Sequence, residues 1–249
     1  YFEEAAGNIS RRVFVFPNRR SMLFFRKYLG QCAADKREAM FAPKTLTMNE
    51  FFAELSGIRA SDRIQLMLEL YGCYSKLRKD PEPLDDFIFW GDMLLSDFDD
   101  IDKYLVDAEH LFTNVSEFKD IQDYASYLSE RQMEALEKFI EHFTLRSRER
   151  KYKKGFLKIW DILWPLYRDF RSLLASEGRA YEGMMYRSAA EAAGSRPVVD
   201  ILAEVFPGTE GFVFVGLNAL NECEKKVMAH MRDAGTAEFC WDYSSEMIK

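Results

Sequence analysis

The hydrophobic positions of this chain change their period twice along its length. Near the start, Arg12-Val13-Phe14-Val15-Phe16 is a β-branched and aromatic run halted by Pro17-Asn18, which predicts a buried strand ended by a turn. Beyond it, Met22, Phe25, Tyr28 and Leu29 recur at helical spacing, so the opening reads strand, tight turn, helix. Phe41-Ala42-Pro43-Lys44-Thr45-Leu46 predicts a second short strand. Thr47-Met48-Asn49-Glu50 then fits a capping box, in which a threonine hydroxyl accepts from a first-turn amide and a glutamate reaches back. The helix behind it carries Phe51, Phe52 and Leu55 and stops at Gly57.

From 61 to 193 the period stays near 3.6. Ser61-Asp62 caps a helix bearing Ile64, Leu66, Met67, Leu70 and Tyr71, and Asp80-Pro81-Glu82-Pro83 breaks the helical pattern after it. Trp90, Leu94, Phe98, Ile101 and Leu105 advance by three or four, a core-facing stripe. Residues 132–143 and 156–174 repeat the pattern, with Pro165 expected to kink or restart the latter. The composition turns to loop at Gly194-Ser195-Arg196-Pro197, and Gly211-Phe212-Val213-Phe214-Val215-Gly216 is again a buried-strand pattern. Residues 221–232 read as a helix and 237–242 as a last strand. Two α/β portions thus bracket a helical middle: an α/β parallel-sheet domain from 1–60 and 194–249, carrying a helical insertion at 61–193.

Composition narrows the function classes. The 249 residues are 48% hydrophobic, 30% charged and 15% aromatic, an ordinary globular balance that excludes disordered and disulfide-scaffold chains. A formal charge of −7 argues against a surface that grips nucleic acid or anionic lipid over its whole extent, and leaves room for local basic patches. Cys32, Cys73, Cys223 and Cys240 stand far apart without zinc spacing, as expected of reduced thiols in a cytoplasmic protein. No apolar run reaches membrane-span length, so no membrane partner is expected. The chain starts at Tyr1 and stops shortly after a strand-like stretch, the pattern expected of a piece of a longer protein.

Motif chemistry is sparse. There is no G-x-x-x-x-G-K-[ST] and no G-x-G-x-x-G; the nearest approach, Ala42-Pro43-Lys44-Thr45, lacks glycine and loses an amide at Pro43. Asp97, Asp99, Asp100 and Asp102, with Asp92 nearby, read as a solvated acidic face, the alternative being two carboxylate pairs on one helix that hold a hard cation. His110, His142 and His230 belong to no ligand motif, and no G-x-S-x-G elbow occurs. Two basic groups stand out against the negative total: 146–155, containing Arg148, Arg150, Lys151, Lys153 and Lys154 beside Tyr152, and a group formed by Arg11, Arg12, Arg19 and Arg20. Such residues follow a nucleic-acid backbone by charge and stacking, and a solvated inter-helix loop explains 146–155 equally well.

Several stretches together resemble one family. Val13-Phe14-Val15-Phe16-Pro17-Asn18-Arg19-Arg20-Ser21, Phe41 to Thr47 leading into Asn49-Glu50-Phe51-Phe52, Trp90-Gly91-Asp92 through Asp102, and Phe214-Val215-Gly216-Leu217-Asn218-Ala219-Leu220 with Glu224 look like the N-terminal part of AddB-like helicase–nuclease subunits. More closely, they resemble the long PD-(D/E)XK nuclease proteins of Bacteroidetes-type bacteria. The resemblance implies a RecA-like fold (P-loop NTPase-like, superfamily-1-helicase-like) whose parallel sheet is interrupted by a large helical insertion, with an exonuclease domain far downstream. In active relatives a phosphate loop precedes the first strand and an Asp-Glu pair ends the later one. Here only Gly7 interrupts the residues before Val13, and Val215-Gly216-Leu217-Asn218 stands at the later position. Both parts that phosphoryl transfer requires are missing there.

The resemblance therefore implies a catalytically silent helicase-like domain of a double-strand-break repair enzyme, with no cofactor in this part. Its partners would be single-stranded or partly unwound DNA and a helicase motor subunit, and Asn18, Arg19 and Arg20 would contact phosphates. Two other readings stand beside it: a protein–protein scaffold whose acidic helical portion docks the motor without touching DNA, and a nucleotide hydrolase with a non-standard site.

Overall fold

A computed structural model describes residues 9–36, 41–114 and 150–241, the last segment as backbone alone up to 161. In chain order the elements are β1 (Arg12–Phe16), α1 (Arg19–Lys36), β2 (Lys44–Thr47), α2 (Met48–Ser56), β3 (Arg59–Ala60), α3 (Arg63–Leu77), α4 (Leu84–Lys103) and α5 (Ala108–Asn114). After them come α6 (Arg150–Ser176), β4 (Arg179–Ala180), α7 (Glu182–Ser195), α8 (Val198–Val205), β5 (Gly211–Val215), α9 (Glu222–Asp233) and β6 (Ala237–Cys240). The chain divides into two compact units, 1–57 with 188–249, and 58–187.

The first unit is α/β. Its sheet is parallel throughout in the order β2-β1-β5-β6, with Phe14 opposite Thr45 on one side and Val213 on the other. β1 is buried from Val13 to Phe16, the behaviour of a parallel strand covered on both faces, and this is why it reads as a continuous apolar run. Phe14, Phe16 and Val213 pack with Met22 and Leu29 of α1 on one face. On the other face Phe51 of α2 meets Phe206, Phe212 and Phe214, with centroid separations of 5.5–5.9 Å. β2 begins at Lys44, three residues later than expected: Pro43 has no N–H for the ladder, and Phe41 is exposed. Helix α8 was not legible as one; it starts directly behind Pro197 and buries Val198, Ile201 and Leu202.

The second unit is helical, with an aromatic centre. Tyr74 packs against Phe87 and Trp90 at 4.9 and 4.8 Å, and Phe98 against Tyr167 at 5.1 Å. Two departures from the expected all-helical block occur here. A two-stranded parallel ribbon pairs Arg59 with Arg179 and Ala60 with Ala180, and α6 runs through Pro165 without restarting. Gly183 lets α7 approach α4 closely, since a Cβ there would meet the backbone of Asp99, whose carboxylate instead accepts the Gly183 N–H at 2.5 Å.

The acidic run on α4 is a solvated face only in part: Asp92 and Asp100 are exposed, Asp97 and Asp99 half-buried. Asp102 has no exposed surface. One of its oxygens accepts from Tyr167 Oη at 2.6 Å and from Arg187 Nη1 at 3.0 Å, Arg171 Nη1 lies 3.3 Å away, and Tyr181 Oη donates to the other oxygen. Burial first, and the Asp102 charge second, raise both phenols well above the usual tyrosine range. Asp99 pairs with Lys103 at 2.7 Å. The physical reason is that partners 65 and 85 positions away supply the donors an isolated carboxylate would otherwise take from water.

Candidate nucleic-acid interface

The strand order places a switch point between β1 and β5. The β1–α1–β2 connection runs to one side of that pair and β5–α9–β6 to the other, with the two crossover helices on opposite faces. In open α/β sheets the crevice outside the carboxyl ends of such strands is where ligands bind. Here it is bordered by Pro17-Asn18-Arg19-Arg20 after β1 and by Gly216-Leu217-Asn218 after β5.

Three helices begin at this edge, each capped by its own side chain. Asn18 Oδ1 accepts from the Ser21 amide at 3.0 Å and the Ser21 hydroxyl at 3.2 Å. At α2 the capping box is present: Glu50 N–H donates to Thr47 Oγ1 at 3.3 Å, and Thr47 N–H donates to Glu50 Oε2 at 2.8 Å. At α9 Asn221 and Glu224 repeat the arrangement at 2.9 Å each way. Carboxylates thus stand in the first turns of α2 and α9 and offset the partial positive charge of those helix ends. α1 has no acid in its first turn and starts with two arginines instead. Of the three helix starts, that of α1 alone carries cations and no first-turn acid, a setting that favours an oxyanion.

Asn18, Arg19 and Arg20 are therefore brought together, with Asn18 acting as the helix cap. The Arg19 side chain is 80% exposed, and its only described acidic neighbour is Glu50 Oε1 at 3.7 Å. Hydrogen bonding from the Thr47 amide, with help from Arg19 and Arg26, holds the Glu50 carboxyl below the usual range in spite of partial burial. Arg26 Nε donates to Thr45 Oγ1 at 2.7 Å and ties α1 to β2. Glu50 as a partner of Arg19 was not legible beforehand; its signal was the capping box, which pins one oxygen and leaves the other free.

The other basic expectations fare differently. Arg11 and Arg12 do not join Arg19 and Arg20, because β1 separates them by about 16 Å at strand rise. At that far end Arg11 pairs with Glu210 at 2.7 Å and Arg12 pairs with Glu238. Arg148 lies outside the described residues. Arg150, Lys151, Lys153 and Lys154 occupy the first turns of α6, so the run is helix from Arg150 onward and not the inter-helix loop that was one of its two readings; their side chains lie outside the described residues.

Among the described residues no group of three or more His, Cys, Asp or Glu can hold a metal ion. The cationic and phenolic partners of Asp102 account for the carboxylate that a cation would have needed. Cys32 and Cys240 are exposed thiols and Cys73 and Cys223 buried ones, with no disulfide among them. Among the described residues no helix is long and apolar enough to cross a membrane. No protein-family model matches the chain, and no curated protein matches it.

Proposed function

We propose that this chain is a RecA-like, superfamily-1-helicase-like domain that binds DNA without hydrolysing nucleotide. In this reading it is part of a cytoplasmic helicase–nuclease for double-strand-break repair and holds single-stranded or partly unwound DNA beside a motor subunit. One observation carries the reading: an arginine pair on a helix start with no acid in its own first turn, faced only on Arg19 by Glu50 of α2, at the switch point of a parallel sheet, in a chain of net charge −7. The later strand ends in Val215-Gly216-Leu217-Asn218, without the Asp-Glu pair that phosphoryl transfer requires, and this supports a positioning role over a motor role.

A salt titration of single-stranded DNA binding tests it. Each phosphate neutralised contributes a slope of about −0.7 in log K against log salt for single strands, so Arg19→Ala/Arg20→Ala should flatten the slope by roughly 1.4 and weaken binding. Unchanged binding in that variant contradicts the reading. ATP with magnesium should leave the melting temperature where it is, because a ligand bound only by the native state must raise it.

A second reading, a scaffold that docks a motor subunit through protein contacts alone, draws on a different observation. Ile64 and Leu68 on α3, and Ile88 and Phe89 on α4, are large apolar side chains left exposed in the acidic helical unit. Co-sedimentation with a motor subunit that survives Arg19→Ala/Arg20→Ala and is lost in Ile64→Ser/Ile88→Ser would favour it.

A further inference from the structure

Helix α1 turns Met22, Phe25 and Leu29 toward the sheet. At 100° per residue the opposite side of the cylinder is centred on Arg20 and Lys27, flanked by Leu23, Phe24 and Tyr28. Tyr28, which recurs with Met22, Phe25 and Leu29 at helical spacing, does not share their burial: it is 60% exposed, Leu23 61% and Phe24 52%. An ordinary amphipathic helix presents polar groups there, whereas this one presents rings interleaved with cations.

We propose that the outer face of α1 is a track for single-stranded nucleic acid, in which Phe24 and Tyr28 stack on bases while Arg20 and Lys27 hold flanking phosphates. This rests on the DNA-binding reading above and extends it from the sheet edge along the helix. The occupant follows from charge: residues 19–28 hold Arg19, Arg20, Arg26 and Lys27 and no acid, so the partner is a polyanion that also offers flat apolar surfaces. Bases supply those surfaces and phosphates the charge. A second copy of the chain docking the same face by two-fold symmetry would set cations against cations. Phe24 and Tyr28 are four residues apart, about 6 Å along the axis, nearly twice the roughly 3.4 Å rise per nucleotide of a stacked strand, so the two rings suit bases of an unstacked, extended strand. A duplex keeps its base faces inside the stack, so the track discriminates against it.

Fluorescence anisotropy with a short labelled oligothymidylate, an abasic oligomer of the same backbone length and a blunt duplex tests the inference. The wild-type chain should bind the oligothymidylate more tightly than either competitor. Phe24→Leu/Tyr28→Leu keeps apolar surface without rings; it should lower oligothymidylate affinity about fivefold or more, bring it to the abasic level and leave the salt slope unchanged. Arg20→Ala/Lys27→Ala should flatten that slope.

If Arg19→Ala/Arg20→Ala weakens binding while Phe24→Leu/Tyr28→Leu binds like wild type, the track is refuted and the DNA-binding reading stands. Equal loss on thymidylate and abasic strands also refutes stacking. If the wild-type chain shows no salt-sensitive binding at all, both readings fall. A wild-type dimer in sedimentation at micromolar concentration, with DNA affinity indifferent to the ring substitutions, assigns the face to a second copy instead.

Discussion

Arg187 places its guanidinium 3.0 Å from the carboxylate of Asp102, a side chain with no exposed surface, and also donates to the Val106 carbonyl at 3.0 Å. The pair joins α4 to the start of α7, with Tyr167 and Arg171 of α6 completing the ring of donors. Removing one partner of a buried pair leaves an uncompensated charge, at a cost of about 3–5 kcal/mol. Asp102→Ala should therefore lower the unfolding free energy of the helical unit, measured by denaturant titration, by that amount, and Arg187→Met should do less damage because Arg171 and the two phenols remain. Equal, small effects from both would show that water reaches the site.

Asp97 supplies a pH dependence of opposite sense to the usual aspartate. Its Oδ2 is buried without a hydrogen-bond partner, and burial, with the charge of Asp100 second, pushes its carboxyl up to about 7. The unfolded chain releases this proton near 3.8, so between these values the folded state binds more protons and stability falls as pH rises. Asp97→Asn should stabilise the protein by on the order of 2–4 kcal/mol above neutrality and change little near pH 4. Urea midpoints of both proteins across that range measure it.

Two glycines separate a steric requirement from a conformational one. Gly57 closes α2 at φ 65° with open space around a hypothetical Cβ, so Gly57→Ala should cost about 1 kcal/mol, the penalty of the left-handed region. Gly183 has an ordinary φ, but a Cβ would fall within 3.0 Å of the Asp99 backbone. Gly183→Ala should cost about 1–3 kcal/mol or more, because helix backbones must move. Thermal melts of the two variants should rank them in that order.

Glu50 offers a gain-of-binding substitution. A glutamine preserves the acceptor for the Thr47 amide, as capping boxes allow, and removes the carboxylate facing Arg19. Glu50→Gln should keep stability within about 0.5 kcal/mol and raise single-stranded DNA affinity roughly two- to fivefold at low salt. Anisotropy titrations of the two proteins side by side decide it; weaker binding by the variant would mean that Glu50 orients Arg19 productively.

How far the fold was legible depended on whether the determining interaction was local. β1 and β5 announced themselves as apolar runs closed by Pro17-Asn18 and Gly216, and the Thr47–Glu50 capping box as residues three apart, whereas the equally local Asn221–Glu224 box went unread. The β3–β4 ribbon is two residues per strand, too short for any period to show. The burial of Asp102 was invisible because aspartates near one another look solvated until distant arginines and tyrosines arrive. At the candidate interface, the pattern gave the turn after the first strand and its arginines, and the family resemblance singled out Asn18, Arg19 and Arg20 there. The separation of Arg11 and Arg12 from them was missed because nearness along an extended strand is not nearness in space.

The central strand pair has a kinetic consequence. Arg11 and Glu210, which flank the start of the β1–β5 ladder, are 199 positions apart. During synthesis the β1–α1–β2 segment must wait for the whole helical excursion before β5 exists to cover its open side, and closing so long a loop is slow. The helical unit, whose contacts are more local, has time to form first. The exposed edge of β1 is then the point at which an incomplete chain is most prone to pair wrongly, and truncations that end before Gly211 should aggregate through it.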